Sequence, residues 1–124
     1  MASTNDIWPF QLAVNLKDGG HANEALPIMT ALTAKNPESA DHWRQQGFIL
    51  TTLDRPAEAI PALERSLQLN PQQPNVWAVL INTYQMAGRG KEAKEAWQKL
   101  RAIDTKAANL AYRERILPFE DAAR

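Results

Sequence analysis

The two histidines, His21 and His42, are the side chains of this sequence best suited to proton transfer near neutral pH. A catalytic histidine needs a carboxylate that orients it and a nucleophile within reach. Asp41 directly precedes His42, but neighbours in a helix point about 100° apart, so these two side chains do not form an orienting pair. We expect both histidines on the surface and no catalytic residue, and the protein is predicted not to be an enzyme.

The sequence motifs of nucleotide-binding and metal-binding sites are also absent. The turn Gly88-Arg89-Gly90 has neither the lysine nor the serine or threonine of a phosphate-binding loop. Cysteine is absent, which excludes disulfides and thiolate metal sites. The sequence therefore predicts no metal and no cofactor.

Composition restricts the class of partner. The 14 basic residues equal the 14 acidic ones, so no net charge gathers nucleic acid or an anionic membrane surface. No stretch approaches the length of an apolar membrane span, and the first residues lack the apolar run of a secretory signal. We expect one cytoplasmic domain of 124 residues that makes no membrane insertion and binds no nucleic acid.

The sequence repeats itself. Ala25, Ala59 and Ala93 are separated by a constant 34 residues (59 − 25 and 93 − 59). Other residues keep the same register: Pro37 with Pro71, Trp43 with Trp77, Asn36 with Asn70 and Asp104, and Met29 with Leu63 and Trp97.

This period and order of tryptophan, small residue, alanine, large apolar residue and proline resembles the tetratricopeptide repeat. The resemblance covers roughly residues 6 to 107. It implies an all-α fold, a right-handed superhelical solenoid of three helical hairpins plus a C-terminal capping helix. The repeats are expected at about 6–39, 40–73 and 74–107, followed by a capping helix at about 107–117 and a tail at 118–124.

Stop signals place the helices. The first ends at Gly19-Gly20, the second ends before Pro37, and Pro118 is expected to stop the capping helix. The predicted helices span about 6–18, 22–35, 39–53, 56–69, 73–87 and 90–103. The core of the hairpins is expected to contain Leu12, Leu16, Trp43, Leu50, Trp77, Leu80 and Tyr84.

In this family the first helix of each hairpin lines a concave groove that holds a partner peptide or helix. Carried over to this sequence, the groove-facing slots fall on Ile7, Phe10, Val14, Lys17, Asp41, Arg44, Phe48, Thr52, Asn75, Ala78, Asn82 and Met86. Phe10, Val14, Phe48 and Met86 would together form an apolar patch on this surface, and such a patch indicates an interaction site. The alternative is that the capping helix folds over part of the patch through Tyr112 and Ile116.

The groove residues indicate the kind of partner. Phe10 and Val14 occupy slots in which the chaperone-docking members carry a carboxylate-binding lysine and asparagine, so that clamp is absent. In architecture and groove character the chain resembles the small three-repeat bacterial chaperones of secretion systems. The expected function is that of an adaptor or chaperone that binds an extended or helical segment of a partner protein.

A structural subunit is the alternative. Trp8 either replaces the core aromatic residue of the first repeat, with Pro9 opening the helix, or is an exposed tryptophan of the type enriched at interfaces. In the second case the segment Ile7-Trp8-Pro9-Phe10, or the C-terminal tail, would dock on a second copy to form a homo-oligomer, or on a larger assembly.

Overall fold

The structure is a computed structural model that describes residues 4–122, with the side chains of residues 6–120. Helices make up nearly all of this part of the chain, and it contains no strand. The helices are α1 (Thr4–Asp18), α2 (Ala22–Lys35), α3 (Ala40–Thr52), α4 (Pro56–Leu69), α5 (Pro74–Met86), α6 (Gly90–Ile103), α7 (Thr105–Ala111) and α8 (Leu117–Ala122), with a π-helical turn (Tyr112–Ile116) between the last two. The predicted all-α class is confirmed.

The chain divides into two compact units, Met1–Pro71 and Gln72–Arg124. The N-terminal unit contains the hairpins α1–α2 and α3–α4, and the C-terminal unit contains the hairpin α5–α6 with α7, the π turn and α8. Each unit is described by itself below.

In the N-terminal unit, small residues allow helices to approach closely. Ala25 and Ala59 are completely buried, as the repeat register predicts. A Cβ atom built on Gly47 of α3 would lie 2.5 Å from Leu63 Cδ2 of α4, so only glycine fits there without movement. The hairpins stack through α2 and α3, where Thr33 Oγ1 donates a 2.6 Å hydrogen bond to Gln46 Oε1.

In the C-terminal unit, α7 packs against α6 as the predicted capping helix. Trp97 Nε1 of α6 donates a 2.7 Å hydrogen bond to the carbonyl of Ala108, and the rings of Trp97 and Tyr112 are 5.3 Å apart. Ala93 and Ala108 are completely buried. The capping segment therefore covers the face of α6 that would otherwise lie open.

A basic residue and a glutamate recur at the start of every second helix. Arg55–Glu58 and Arg89–Glu92 are ion pairs three residues apart, and 34 residues before the first of them His21 Nδ1 lies 3.9 Å from Glu24 Oε1. The glutamate lies in the first turn, where the helix dipole favours a negative charge. The hydrogen bond from Arg89 lowers the pKa of Glu92 from its usual 4.5.

The prediction that Pro118 stops the last helix is wrong. α7 begins at Thr105, and helical structure continues through the π turn and α8 to Ala122. In the π turn the N–H of Leu117 bonds to the carbonyl of Tyr112, five residues back, and Pro118 then lies in the first turn of α8, where a missing N–H costs little. Residues 123 and 124 of the predicted tail lie outside the described residues.

The tail also makes specific contacts. Glu120 accepts a 3.0 Å hydrogen bond from the Tyr112 hydroxyl and forms a 2.6 Å ion pair with Lys94 of α6. The hydrogen bond that the Lys94 amine donates to the Glu120 carboxylate raises the pKa of Lys94. Before the tail, the carbonyl of Arg115 in the π turn accepts a hydrogen bond from Gln85 Nε2 of α5.

The structure decides between the two alternatives for Trp8, and it contradicts one prediction for α1. Trp8 is 73% exposed, so it does not replace a core aromatic residue, and Pro9 does not open the helix, which already begins at Thr4. Buried Asp6 in the first turn accepts hydrogen bonds from Lys35 (2.9 Å) and Asn36 (3.1 Å) at the end of α2. Leu12 is not in the core but 38% exposed. Among the described residues no helix precedes α1, so nothing covers the side on which Leu12 lies.

Candidate functional site

In the N-terminal unit, the predicted groove residues occupy one side of α1 and one side of α3. Phe10 and Val14 are four residues apart on α1, as are Arg44 and Phe48 on α3, so each pair shares a helix face. All four side chains are half-buried. We call these residues, with Lys17, the α1–α3 surface.

Phe10 contributes to both surface and core. It packs against the buried cluster of the N-terminal unit, and its ring centroid lies 5.2 Å from that of His42 on α3. His42 is only 4% exposed, so the prediction of a surface histidine is wrong. Its aromatic ring fills space between helices, whereas His21 is exposed as expected. Among the described residues, nothing hydrogen-bonds the buried Nδ1 atom of His42.

Phe48 lies beneath a lysine. Lys17 Nζ is 5.4 Å from the centre of the Phe48 ring and donates a 3.0 Å hydrogen bond to Gln45 Oε1. The Lys17 side chain is 14% exposed, so its stem extends the apolar surface, and its amine also lies 3.4 Å from the exposed Asp18 carboxylate. The sequence placed Lys17 among the groove residues but could not show this contact, which depends on the approach of α1 to α3.

Arg44 is held by its own helix. Its Nη2 atom lies 2.9 Å from Asp41 Oδ1, one turn earlier on α3, and its side chain is 25% exposed. Thr52, at the other end of α3, turns its hydroxyl to the carbonyl of Phe48. The α1–α3 surface thus has an apolar middle, with Lys17 and Arg44 as donors for carboxylate or carbonyl oxygens.

In the C-terminal unit, four predicted residues follow one side of α5. Asn75 is exposed, Ala78 and Asn82 are half-buried, and Met86 is 46% exposed. Asn82 Nδ2 lies 3.5 Å from Met86 Sδ. A thioether is a weak hydrogen-bond acceptor, so this amide would form a stronger hydrogen bond with a peptide carbonyl that took the place of the sulfur. The exposure of Met86 shows that the C-terminal segment leaves this residue uncovered.

The C-terminal unit also has two open clefts, neither of which contains the predicted residues. One, of about 480 Å³, is lined by Trp97, Asn109, Tyr112 and Arg113. The other, of about 420 Å³, is lined by Gln85, Gly90, Lys91, Lys94, Phe119 and Glu120. The amine of Lys94 and the carboxylate of Glu120 neutralise each other across the second cleft.

Within residues 4–122, no group of histidine, aspartate and glutamate side chains could hold a metal ion. No helix in the same part of the chain is long and apolar enough to cross a membrane.

Comparison with known proteins gives one family and several similar folds. A family model described as tetratricopeptide repeat matches residues 50–112. The peroxisomal targeting signal receptor of Pichia angusta is 28% identical over 112 residues, a match that covers 90% of this chain and 19% of the receptor. The chain therefore spans about a fifth of the length of this curated relative.

Among solved structures, PcrH in complex with the chaperone binding region of PopD superimposes with a TM-score of 0.81 at 15% identity, covering 90% of this chain and 88% of that chain. The type III secretion translocator chaperone SycD of Yersinia enterocolitica gives 0.78 at 17% identity, covering 91% and 80%. MamA gives 0.79 at 24% identity, covering 88% and 67%. At these identities the likeness concerns the fold.

Proposed function

The chain belongs to the tetratricopeptide repeat family, and on that premise we propose that it is a non-enzymatic module that binds a segment of a partner protein, as an adaptor or chaperone. In the N-terminal unit the segment lies against the α1–α3 surface, and in the C-terminal unit the residues available for binding lie on one side of α5. The conformation of the segment is extended or helical.

The observation that carries this proposal is the half-burial of Phe48 beneath Lys17. The ring is half-buried beneath the Lys17 amine, so it is held in place while part of it stays accessible. Aromatic anchors of this kind, ordered before binding, lose little conformational entropy when a partner docks. Phe10 and Val14 continue the same apolar surface on the neighbouring helix.

The chemistry of the surface defines the segment. Apolar side chains of the partner pack on Phe10, Val14 and Phe48, and an acidic group or a carbonyl oxygen meets Lys17 or Arg44. On α5, Asn75 and Asn82 hydrogen-bond the main chain of the segment, and Met86 adapts its flexible side chain to an apolar residue.

Similar folds support this mode of binding. PcrH is seen in complex with the chaperone binding region of PopD, and SycD in complex with a peptide of the translocator YopD. In both comparisons the superposition covers 88% of the chain of the known structure. We extend to this chain only the use of the fold to hold a peptide.

Affinity capture from an extract of the native cells, followed by mass spectrometry, tests the proposal. The wild-type chain is compared with Phe48→Glu, which places a carboxylate next to Lys17 in the middle of the α1–α3 surface. Ala34→Glu is the matched control, because Ala34 is exposed on α2, away from this surface. We expect Ala34→Glu to retain the wild-type partners and Phe48→Glu to lose them. Retention of every partner by folded Phe48→Glu would contradict the proposal.

A further inference from the structure

One open cleft of the C-terminal unit has no part in the partner binding proposed above. It has a volume of about 480 Å³ and is lined by Trp97 of α6, Asn109 of α7, and Tyr112 and Arg113 of the π turn. None of these residues belongs to the groove positions assigned from the repeats. A volume of this size falls within the range of small ligand sites. We call it the Trp97 cleft.

Two aromatic rings form the apolar wall of the Trp97 cleft. The indole of Trp97 is held by the 2.7 Å hydrogen bond to the carbonyl of Ala108, and its ring lies 5.3 Å from that of Tyr112, tilted by 51°. The Tyr112 hydroxyl is held in turn by Glu120. Both aromatic side chains are half-buried, so they are ordered and yet partly accessible. Rings fixed in this way lose little conformational entropy when an apolar side chain packs on them.

The rim of the cleft provides hydrogen-bond donors. Asn109 and Arg113 lie four residues apart and are both exposed, and within the described residues neither side chain makes a hydrogen bond or an ion pair. Four other arginines each form an ion pair with a carboxylate: Arg44, Arg55, Arg65 and Arg89. A guanidinium and an amide one turn apart can donate to the two oxygens of one carboxylate.

The charge around the Trp97 cleft favours an acidic ligand. Arg101 Cζ lies 5.7 Å from the centre of the Trp97 ring, so a second positive charge adjoins the aromatic wall. Within residues 97–115 the acidic side chains are Asp104 and Glu114, and Asp104 caps α7 by accepting a hydrogen bond from the Ala107 N–H. The same segment has five basic side chains, all exposed: Lys99, Arg101, Lys106, Arg113 and Arg115. Because the whole chain has no net charge, this excess is local and attracts anions to this end of the unit.

We propose that the Trp97 cleft binds an acidic peptide segment that has an aromatic or leucine side chain among its acidic residues. The apolar side chain packs on Trp97 and Tyr112, and a neighbouring carboxylate accepts hydrogen bonds from Arg113 and Asn109. The basic side chains around the cleft outnumber the acidic ones by several, so a segment with several carboxylates fits them better than a small molecule with one. This site goes beyond the proposed function, because it uses none of the residues of the α1–α3 surface or of α5.

Fluorescence anisotropy of the whole chain with a defined probe tests the proposal. The probe is the fluorescein-labelled peptide Glu-Asp-Phe-Asp-Glu, for which we expect a Kd on the order of 100 μM. Arg113→Gln should raise this Kd about tenfold, because the carboxylate loses its guanidinium partner. Arg115→Gln is the matched control: it removes the same charge from the same π turn at a residue that does not line the cleft, and it should raise the Kd less than about threefold.

Two further probes separate the parts of the ligand. The peptide Glu-Asp-Ala-Asp-Glu lacks the ring that packs on Trp97 and Tyr112, and Gln-Asn-Phe-Asn-Gln lacks the carboxylates. Each should bind at least about tenfold more weakly than the first probe. Phe48→Glu should bind the first probe with unchanged Kd, so failure of this proposal and failure of the proposed function are distinguishable.

Nuclear magnetic resonance locates the bound probe without any substitution. The chain has four indole N–H groups, those of Trp8, Trp43, Trp77 and Trp97, and only the resonance of Trp97 should shift as the probe is added. The proposal is overturned by equal weakening in Arg113→Gln and Arg115→Gln, by an unmoved Trp97 resonance, or by the absence of saturable binding. Tighter binding of fluorescein-labelled oligothymidine would also overturn it, because single-stranded nucleic acid likewise stacks on aromatic rings beside basic groups.

Discussion

Leu63 of α4 lies so close to Gly47 of α3 that a Cβ atom on Gly47 would meet Leu63 Cδ2 at 2.5 Å and Leu63 Cγ at 2.6 Å. Leu63 is completely buried and has little room to move away. We expect Gly47→Ala to lower the free energy of unfolding by about 1–3 kcal/mol, through overpacking of the α3–α4 hairpin. Urea denaturation measures this change.

The sign should reverse when the neighbour is removed. In a Leu63→Ala background, Gly47→Ala should stabilise the protein by about 0.5–1 kcal/mol, because alanine is the better residue inside a helix. An equal effect in both backgrounds would show that the two residues are not coupled.

His42 provides a test of the packing behind the α1–α3 surface. Its buried Nδ1 atom has no hydrogen-bond partner in the described part of the chain, and such a group costs about 1–3 kcal/mol. We expect His42→Leu to raise the melting temperature, since leucine fills a similar space against Phe10 without a polar atom. His21→Leu, at an exposed position, is the control and should change little. A lower melting temperature for His42→Leu would mean that the imidazole is stabilising.

The Arg89–Glu92 pair should be visible in titration. The hydrogen bond from Arg89 is the main cause of the lowered pKa of Glu92, so Arg89→Gln should return this pKa towards 4.5. A carboxylate whose pKa is lower in the folded state adds stability above its unfolded pKa, and this contribution disappears as the pH falls through the folded pKa. Nuclear magnetic resonance of the Glu92 side chain from neutral to acid pH measures the shift. An unchanged pKa in Arg89→Gln would contradict the assigned cause.

The C-terminal segment should be part of the folded unit. Removal of residues 118–124 deletes Glu120, and with it the contacts to Lys94 and Tyr112. We expect the free energy of unfolding to fall, because a hydrogen bond and a partly exposed ion pair are lost. Glu120→Gln should reproduce part of this loss, whereas Glu114→Gln, at an exposed position of the π turn, should not. A neutral truncation would mean that α8 contributes nothing to stability.

The helices could be predicted from the sequence because glycine and proline mark most of their ends. The 34-residue period of the repeats sets the remaining helix ends. Predicted bounds of α2, α4 and α6 agree with the structure, and those of α3 and α5 agree within one residue at each end. Pro118 was misinterpreted, since proline near the start of a helix is tolerated and does not mark an end. The sequence alone does not distinguish Pro118, which lies inside a helix, from Pro37, which follows the end of one. Only the surrounding hydrogen bonds separate the two cases.

The candidate site was only partly predictable. The register assigns Phe10, Phe48 and Asn82 to the first helices of the hairpins, but not their degree of burial or their neighbours. His42 is a polar residue in an apolar slot, and nothing local in the sequence shows that Phe10 covers it. The amine of Lys17 above the Phe48 ring likewise depends on how α1 meets α3. Whether these residues bind a partner stays a prediction.

The central claim is that the α1–α3 surface holds a segment of a partner protein, and a titration of Phe48→Glu tests it most directly. The measurement is the Kd of the wild-type chain, Phe48→Glu and Ala34→Glu for the same segment of a captured partner, by isothermal calorimetry. Loss of the Phe48 anchor should cost about 2 kcal/mol, or roughly thirtyfold in Kd, with Ala34→Glu unchanged. The melting temperature should change little, because the new carboxylate lies next to the Lys17 amine. Equal affinity of wild type and folded Phe48→Glu would contradict the claim.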